Sequence, residues 1–242
     1  LTKIYGDSDP TLTYTEDVAL ISGNTFTGAL ARTAGESVNT YAINAGNLSA
    51  GSNYDVVLAV APVTFAITQK SITVTASTNS KEYDGTTSAS AVPVVTGGLA
   101  FSDSANFTQS YSTAAVGVGN KTLVPSGTVT SVNSGTNYAI TFTNNMTGTI
   151  TAKELTVTGL SLSDKVYDGL TSASITGTPA LSGVIAGDVA DVSISGIAGG
   201  SFTTPDVGAK TITVTGLSLS GLASGNYTLT APVVSGNITK KT

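Results

Sequence analysis

Lys165-Val166-Tyr167-Asp168-Gly169 places an amine, a phenol and a carboxylate within four residues. Such a set could hold a metal ion, exchange protons or bind a sugar. It returns as Lys81-Glu82-Tyr83-Asp84-Gly85 and, with carboxylate and glycine exchanged, as Lys3-Ile4-Tyr5-Gly6-Asp7. The structural reading is a turn. Asp-Gly is a favoured turn pair because glycine takes a positive φ and aspartate tolerates it or accepts from a nearby N–H. The tyrosine before it then buries its ring and turns its hydroxyl to a backbone group. The reversal at Gly6-Asp7 decides between the two. A catalytic carboxylate would not survive that shift in register, whereas a turn would. Tyr5, Tyr83, Asp84, Gly85, Tyr167, Asp168 and Gly169 are therefore expected to be structural.

A second pair recurs as Asn53-Tyr54, Asn137-Tyr138 and Asn226-Tyr227. The two patterns absorb six of the nine tyrosines and leave Tyr14, Tyr41 and Tyr111 uncommitted. With no tryptophan in the chain, a stacking platform for sugars is poorly supplied. Lys3, Lys81 and Lys165 each stand two residues before a motif tyrosine. Packing of their stems on a neighbouring ring is the plain expectation. An isopeptide link from Lys81 or Lys165 to Asn137 or Asn226 is the sharper alternative. Calcium needs several oxygen ligands. The acids that come closest to supplying them are Asp7 with Asp9, the only D-x-D, and Asp188 with Asp191; no EF-hand loop is present.

Catalysis has little to work with. The chain has no histidine and no cysteine. No serine sits in a nucleophile elbow and no phosphate loop occurs. A paired-carboxylate glycosidase stays open on sequence, but the expectation is a protein without catalytic residues and without a cofactor.

The elements that must position these residues are strands. Thr, Ser, Gly, Val and Ala dominate, and the good helix formers Glu, Lys, Arg, Gln and Met are scarce. The chain of 242 residues carries a net charge of −5 and few basic residues, which excludes the basic surface expected for nucleic acid. Its longest apolar runs, such as VVLAVA at 56–61, are far shorter than the roughly 20 residues that span a bilayer, so no membrane insertion is expected. No charged region followed by an apolar stretch opens the sequence, so no signal peptide is visible in it.

The alternating segments SITVTA at 71–76, ELTVTG at 154–159, AITFT at 139–143 and TITVTG at 211–216 have the period of a half-buried strand. Gly, Asn, Asp and Pro clusters break them at short intervals. The recurring motifs divide the chain into three repeats, 1–70, 71–153 and 154–242, closing on AITQK, TITAK and NITKK. The first repeat lacks the alternating segment that opens the other two. The predicted fold is all-β, with three tandem β-sandwich (Ig-like) modules end to end; β-grasp-type modules are the alternative. The closing strands run into the next opening strands without a flexible linker, which predicts a stiff array. Gly97–Ser112 and Gly183–Ser201, the long unmatched segments, are the places to expect a binding loop.

The K-x-YDG-x-T opening, the Gly187-Asp188 middle, the VG-x-KT strand at 118–122 and 207–211, and the GNY at 225–227 together resemble the YDG modules of large bacterial surface proteins. The first repeat, KIYGDSDPTLTYT through LSAGSNY to FAIT, is similar to the related glycine-rich, mostly-β MBG type. Leu170 stands where threonine is common, and the second repeat offers Phe101-Ser102-Asp103 in place of Gly-Asp. The resemblance implies a fragment of an exported adhesin or haemagglutinin-like protein, extracellular, on a bacterial surface or secreted. Its implied role is a stiff spacer that projects a distal binding region, with neighbouring repeats of the same parent protein as partners. The alternative is an adhesive module that binds glycans, a host protein or itself through variable loops, assisted by calcium.

Overall fold

A computed structural model describes residues 1–58, 61–133 and 135–242; Ala59 and Val60 of the apolar run at 56–61 lie outside the described residues. The protein is all-β. Among the described residues there are nineteen strands, two short 3-10 turns and no α-helix. No helix of the described residues is long and apolar enough to cross a membrane. The structure falls into two compact units, and their limits are not those of the sequence repeats.

The first unit comprises Leu1–Ser77, Val92–Gln109 and Val124–Asn144. It holds the whole first repeat and one end of the second. In one sheet Thr2–Ile4 runs parallel to Thr64–Thr68, which pairs antiparallel with Asn39–Asn44, and that strand with Ala31–Arg32. In the other, Lys70–Thr75 is central, parallel to Tyr138–Thr143 and antiparallel to Val94–Thr96. The alternation explains the burial: Phe65 and Ile67 of one closing strand, and Ile72 and Val74 of the next opening strand, all point inward. They belong to a single core with Tyr5, Tyr41, Ala100, Phe107 and Tyr138. That core runs without interruption across the repeat boundary at 70/71.

The second unit comprises Thr78–Ala91, Ser110–Leu123 and Asn145–Thr242. Ser80–Glu82 lies parallel to Asn145–Thr151, which pairs antiparallel with the Gly117–Leu123 end of a longer strand. Lys153–Leu162 is central to the next sheet, parallel to Tyr227–Thr230 and antiparallel to Ile175–Ser182. Lys165–Val166 runs parallel to Val233–Thr239, whose other edge takes Gly208–Thr213. Ser193–Gly199 pairs with Thr215–Ser220. Leu162, Phe202, Ile212, Val214, Val234 and Ile238 form a core at one end of the third repeat.

One topological device recurs. Each repeat's motif strand joins its own closing strand in parallel, Thr2↔Ala66, Lys81↔Ile150 and Lys165↔Ile238. The two opening strands likewise pair in parallel with the strand that begins at the Asn-Tyr tyrosine, Tyr138↔Lys70 and Tyr227↔Lys153.

Candidate functional site: two tyrosine–aspartate seams

The turn chemistry read from the sequence is present in detail. Asp84 Oδ1 accepts from the Thr86 N–H at 2.8 Å and from the Lys81 ammonium at 2.7 Å, while Gly85 adopts φ +77°. Asp168 Oδ1 accepts from the Leu170 N–H at 2.9 Å and pairs with Lys165 at 2.8 Å, with Gly169 also at φ +77°. The Lys81 hydrogen bond, helped by Thr86, holds the Asp84 carboxyl down at about 2. In the first repeat Asp9, not Asp7, takes this place. It pairs with buried Lys3 at 2.6 Å and with Arg32 at 2.6 Å, and Glu36 bonds the same two cations. The Arg32 hydrogen bond in particular lowers Asp9 to about 2.

The lysines do not lie on their own motif rings. Lys81 sits over Tyr111 and Lys165 over Phe202, at 5.7 and 5.9 Å from the ring centroids. Their ammonium groups bond to their own turns, Lys165 to the carbonyls of Leu170 and Ser172. Asn226 instead accepts from the Val116 N–H at 3.0 Å and Asn137 from the Val38 N–H at 2.8 Å. The side chains proposed for an isopeptide link are thus given to turns and backbone.

The motif tyrosines are where the sequence reading needs correcting. Their hydroxyls were expected on backbone groups; two of them reach a carboxylate of the following repeat. Tyr5 is fully buried, and its hydroxyl lies 3.0 Å from Asp103 Oδ2, 2.7 Å from Ser131 Oγ and 3.1 Å from Asn133 Nδ2. Tyr138 donates to the same Asp103 oxygen at 2.6 Å and accepts from the Ala100 N–H at 2.8 Å. The other Asp103 oxygen accepts from the Val132 N–H. In the second unit Tyr83 and Tyr227 both donate to Asp188 Oδ2, at 2.8 and 2.6 Å, and Tyr227 accepts from the Ile185 N–H at 3.1 Å. The rings meet edge to face in both places, with centroids 5.5 Å apart for Tyr5–Tyr138 and 5.4 Å for Tyr83–Tyr227.

Each socket is cut to the same pattern. A tight turn bonds the Asp103 N–H to the Ala100 carbonyl and the Asp188 N–H to the Ile185 carbonyl. The residue three before the aspartate offers its N–H to the Asn-Tyr tyrosine. The first repeat carries the pattern too. The Asn24 N–H bonds the Ile21 carbonyl, and the Ile21 N–H and Asn24 Nδ2 both donate to the Tyr54 hydroxyl at 3.0 Å. Asn24 there replaces the aspartate. The sequence reading set Phe101-Ser102-Asp103 against Gly187-Asp188 only as a departure from the pattern, and it did not place Asn24 with them.

Electrostatics hold the Tyr138–Asp103 pair in one protonation state. Burial, then the bond to Asp103, pushes Tyr138 up to about 12; burial and Asp188 do the same for Tyr227, and raise Tyr83. Burial opposes the Asp103 charge, yet the bonds from Tyr138, the Val132 N–H and Tyr5 outweigh it and hold that carboxyl below its ordinary value. At neutral pH the Tyr138–Asp103 pair therefore holds a proton in place.

Tyr167 has the same turn and, among the described residues, no socket. It is 41 % exposed, against 5 % for Tyr83 and 0 % for Tyr5. Asn53 is exposed and Tyr54 half-buried, where Asn137, Tyr138 and Tyr227 are buried. Of the uncommitted tyrosines, Tyr111 is buried against Asn79 and the Thr149 carbonyl, and Tyr41 donates to the Ser37 carbonyl. Tyr14 is exposed, packed on Phe26.

Two of the four aspartates considered for calcium have side-chain partners of their own. Asp9 is neutralised by two cations, and Asp188 takes two phenols. Asp7 gives its N–H to the Ile4 carbonyl, and Asp191 its N–H to the Asp188 carbonyl. Among the described residues no three acidic or other ligand side chains gather as a metal site would require. Each of the segments Gly97–Ser112 and Gly183–Ser201 contains a socket turn, Ala100–Asp103 in one and Ile185–Asp188 in the other.

A comparison with curated proteins found no match. Comparison with family models matches residues 1–64 to the MBG domain (YGX type) and residues 68–148 and 151–234 to the YDG domain. These matches meet at the seams, where the tyrosine of one stretch enters the socket of the next. The chain belongs to the YDG domain family, with an MBG domain leading its two YDG domains.

Proposed function

We propose that this chain is a non-catalytic spacer within a bacterial surface adhesin, extracellular, holding a distal binding region away from the cell. The observation that carries this reading is the seam. The residues that make the repeats recognisable bond the motif turn of one repeat to the middle of the next, and the core at 70/71 continues across the boundary. A joint that buries two phenols on one carboxylate leaves few free torsions, which is what a stiff spacer needs. The MBG and YDG matches support an adhesin-like repeat module. On this reading the partners are neighbouring repeats of the same parent protein, and exposed Tyr167 is a third plug, ready for a socket with an Asp and an Asn-Tyr.

Small-angle scattering tests it. The expected profile is extended, with a maximum dimension set by three modules in line, and broadened in Asp103→Ala and Asp188→Ala. A radius of gyration near the ~18 Å of a compact chain of this length would overturn the reading. So would saturable binding on a glycan array that those two substitutions abolish without loss of folding.

A further inference from the structure

The first repeat contains a cleft of about 650 Å³ between the segments 13–20 and 54–58, floored by Phe26, Leu30, Ile43 and Leu48. Its position in the repeat identifies what it lacks. In the second repeat the opening strand Lys70–Thr75 lies between Tyr138–Thr143 and Val94–Thr96; in the third, Lys153–Leu162 lies between Tyr227–Thr230 and Ile175–Ser182. The strand that starts at the Asn-Tyr tyrosine is one flank. The strand that precedes the socket turn is the other. The first repeat has both flanks, Tyr54–Leu58 after its Asn-Tyr and 13–20 before its Ile21–Asn24 turn, and the cleft stands between them.

Tyr54–Leu58 already alternates as a strand does. Tyr54, Val56 and Leu58 are half-buried, while Asp55 and Val57 face outward, Val57 at 84 % exposure. Among the described residues it makes no strand pairing. An edge with alternating apolar side chains and no strand partner among the described residues is a template for one more strand.

We propose that the cleft accepts one added β-strand, parallel to Tyr54–Leu58, alternating branched apolar and hydroxylated side chains as Ser71–Ala76 does. Its donor is polypeptide joined ahead of Leu1. The register supports this source: Lys3 matches Lys81, and only Ala76–Asn79 separates Lys70–Thr75 from Ser80–Glu82. A donor on the same chain needs no more than that short connection.

The test adds KSITVTAST, the sequence of residues 70–78, directly before Leu1. A control carries the same extension with aspartate at its Ile and Val positions. Amide hydrogen exchange is read across the whole chain. The expected result is that amides of Tyr54–Leu58 slow by about tenfold or more in the alternating extension only. Unchanged exchange at Tyr54–Leu58, or equal slowing by the aspartate control, would overturn the proposal. The deciding amides lie in the first repeat, so the proposal stands or falls independently of the spacer reading.

Discussion

Tyr83 and Tyr227 meet edge to face, 5.4 Å between centroids at 80°, and their hydroxyls donate to one and the same oxygen of Asp188. Tyr5 and Tyr138 reproduce this on Asp103 at 5.5 Å and 75°. The flanking residues differ, Ala-Phe-Ser before one aspartate and Ile-Ala-Gly before the other. The arrangement is therefore set by the tyrosine–aspartate–tyrosine triad and its turn.

Removing the shared acceptor strands two phenols at once. Asp188→Ala is expected to destabilise by about 2 to 4 kcal/mol in chemical unfolding, because bonds to a charged partner are lost and buried donors are left unmet. Combined with Tyr83→Phe it should show a coupling of about 1 kcal/mol or more in a double-mutant cycle. Additive effects would mean that the seam bond carries no net stability.

The motif tyrosines should separate by whether a socket receives them. Tyr83→Phe is expected to cost about 1 kcal/mol. Tyr167→Phe should stay within about 0.5 kcal/mol, since that ring is 41 % exposed and its hydroxyl has no partner among the described residues. Thermal melts of the two variants check the difference.

Alkaline stability should follow the phenols. Tyr138 and Tyr227 are raised from 10.0 to about 12 in the folded protein, so the unfolded chain releases their protons first. The stability they contribute is whole below pH about 10 and is lost as pH climbs towards about 12. Phenolate absorbance should show a late-titrating fraction, and unfolding should accompany its appearance.

At the acid end the sign is opposite. Asp9 and Asp84 are lowered from 3.8 to about 2, so their ion pairs contribute fully above pH about 4 and fade as pH falls to about 2. Both side chains are partly open to water, and the loss should be modest and weakened by salt. Melting temperature across that range, at low and high salt, measures it.

Two glycines with similar backbones should respond unequally to alanine. Gly6 has φ +91°, and a Cβ there would fall 2.4 Å from the Ala100 Cβ, inside the first seam. Gly169 has φ +77° with nothing within 4 Å. Gly169→Ala should cost about 1 kcal/mol of backbone strain. Gly6→Ala should cost that and the displacement of Ala100, and should also loosen the Tyr5–Asp103 bond. Equal melting temperatures would argue against close seam packing.

Strands and turns were legible in the residues because both are local. The alternation of SITVTA predicted which of Ile72, Val74 and Ala76 point inward, and Asp84 with Gly85 predicted an aspartate-capped turn. The destination of the tyrosine hydroxyls was not legible, because a turn motif alone does not say which later repeat supplies its partner. Asp103 had seemed a departure from the Gly-Asp pattern, yet the turn needs only the carboxylate at its end. The partners of Asp9 were hidden for a related reason. Counting acids in the chain cannot reveal that Lys3 and Arg32 converge on Asp9 from different strands.

The unbroken apolar interior at 70/71 has a practical corollary for anyone dissecting this polypeptide. A fragment excised at that point leaves Phe65 and Ile67 on one piece and Ile72, Val74 and Tyr138 on the other, each with a raw apolar end. Neither compact unit is one continuous stretch, and the second repeat is shared between them, so no single cut in the letters releases a whole packed unit.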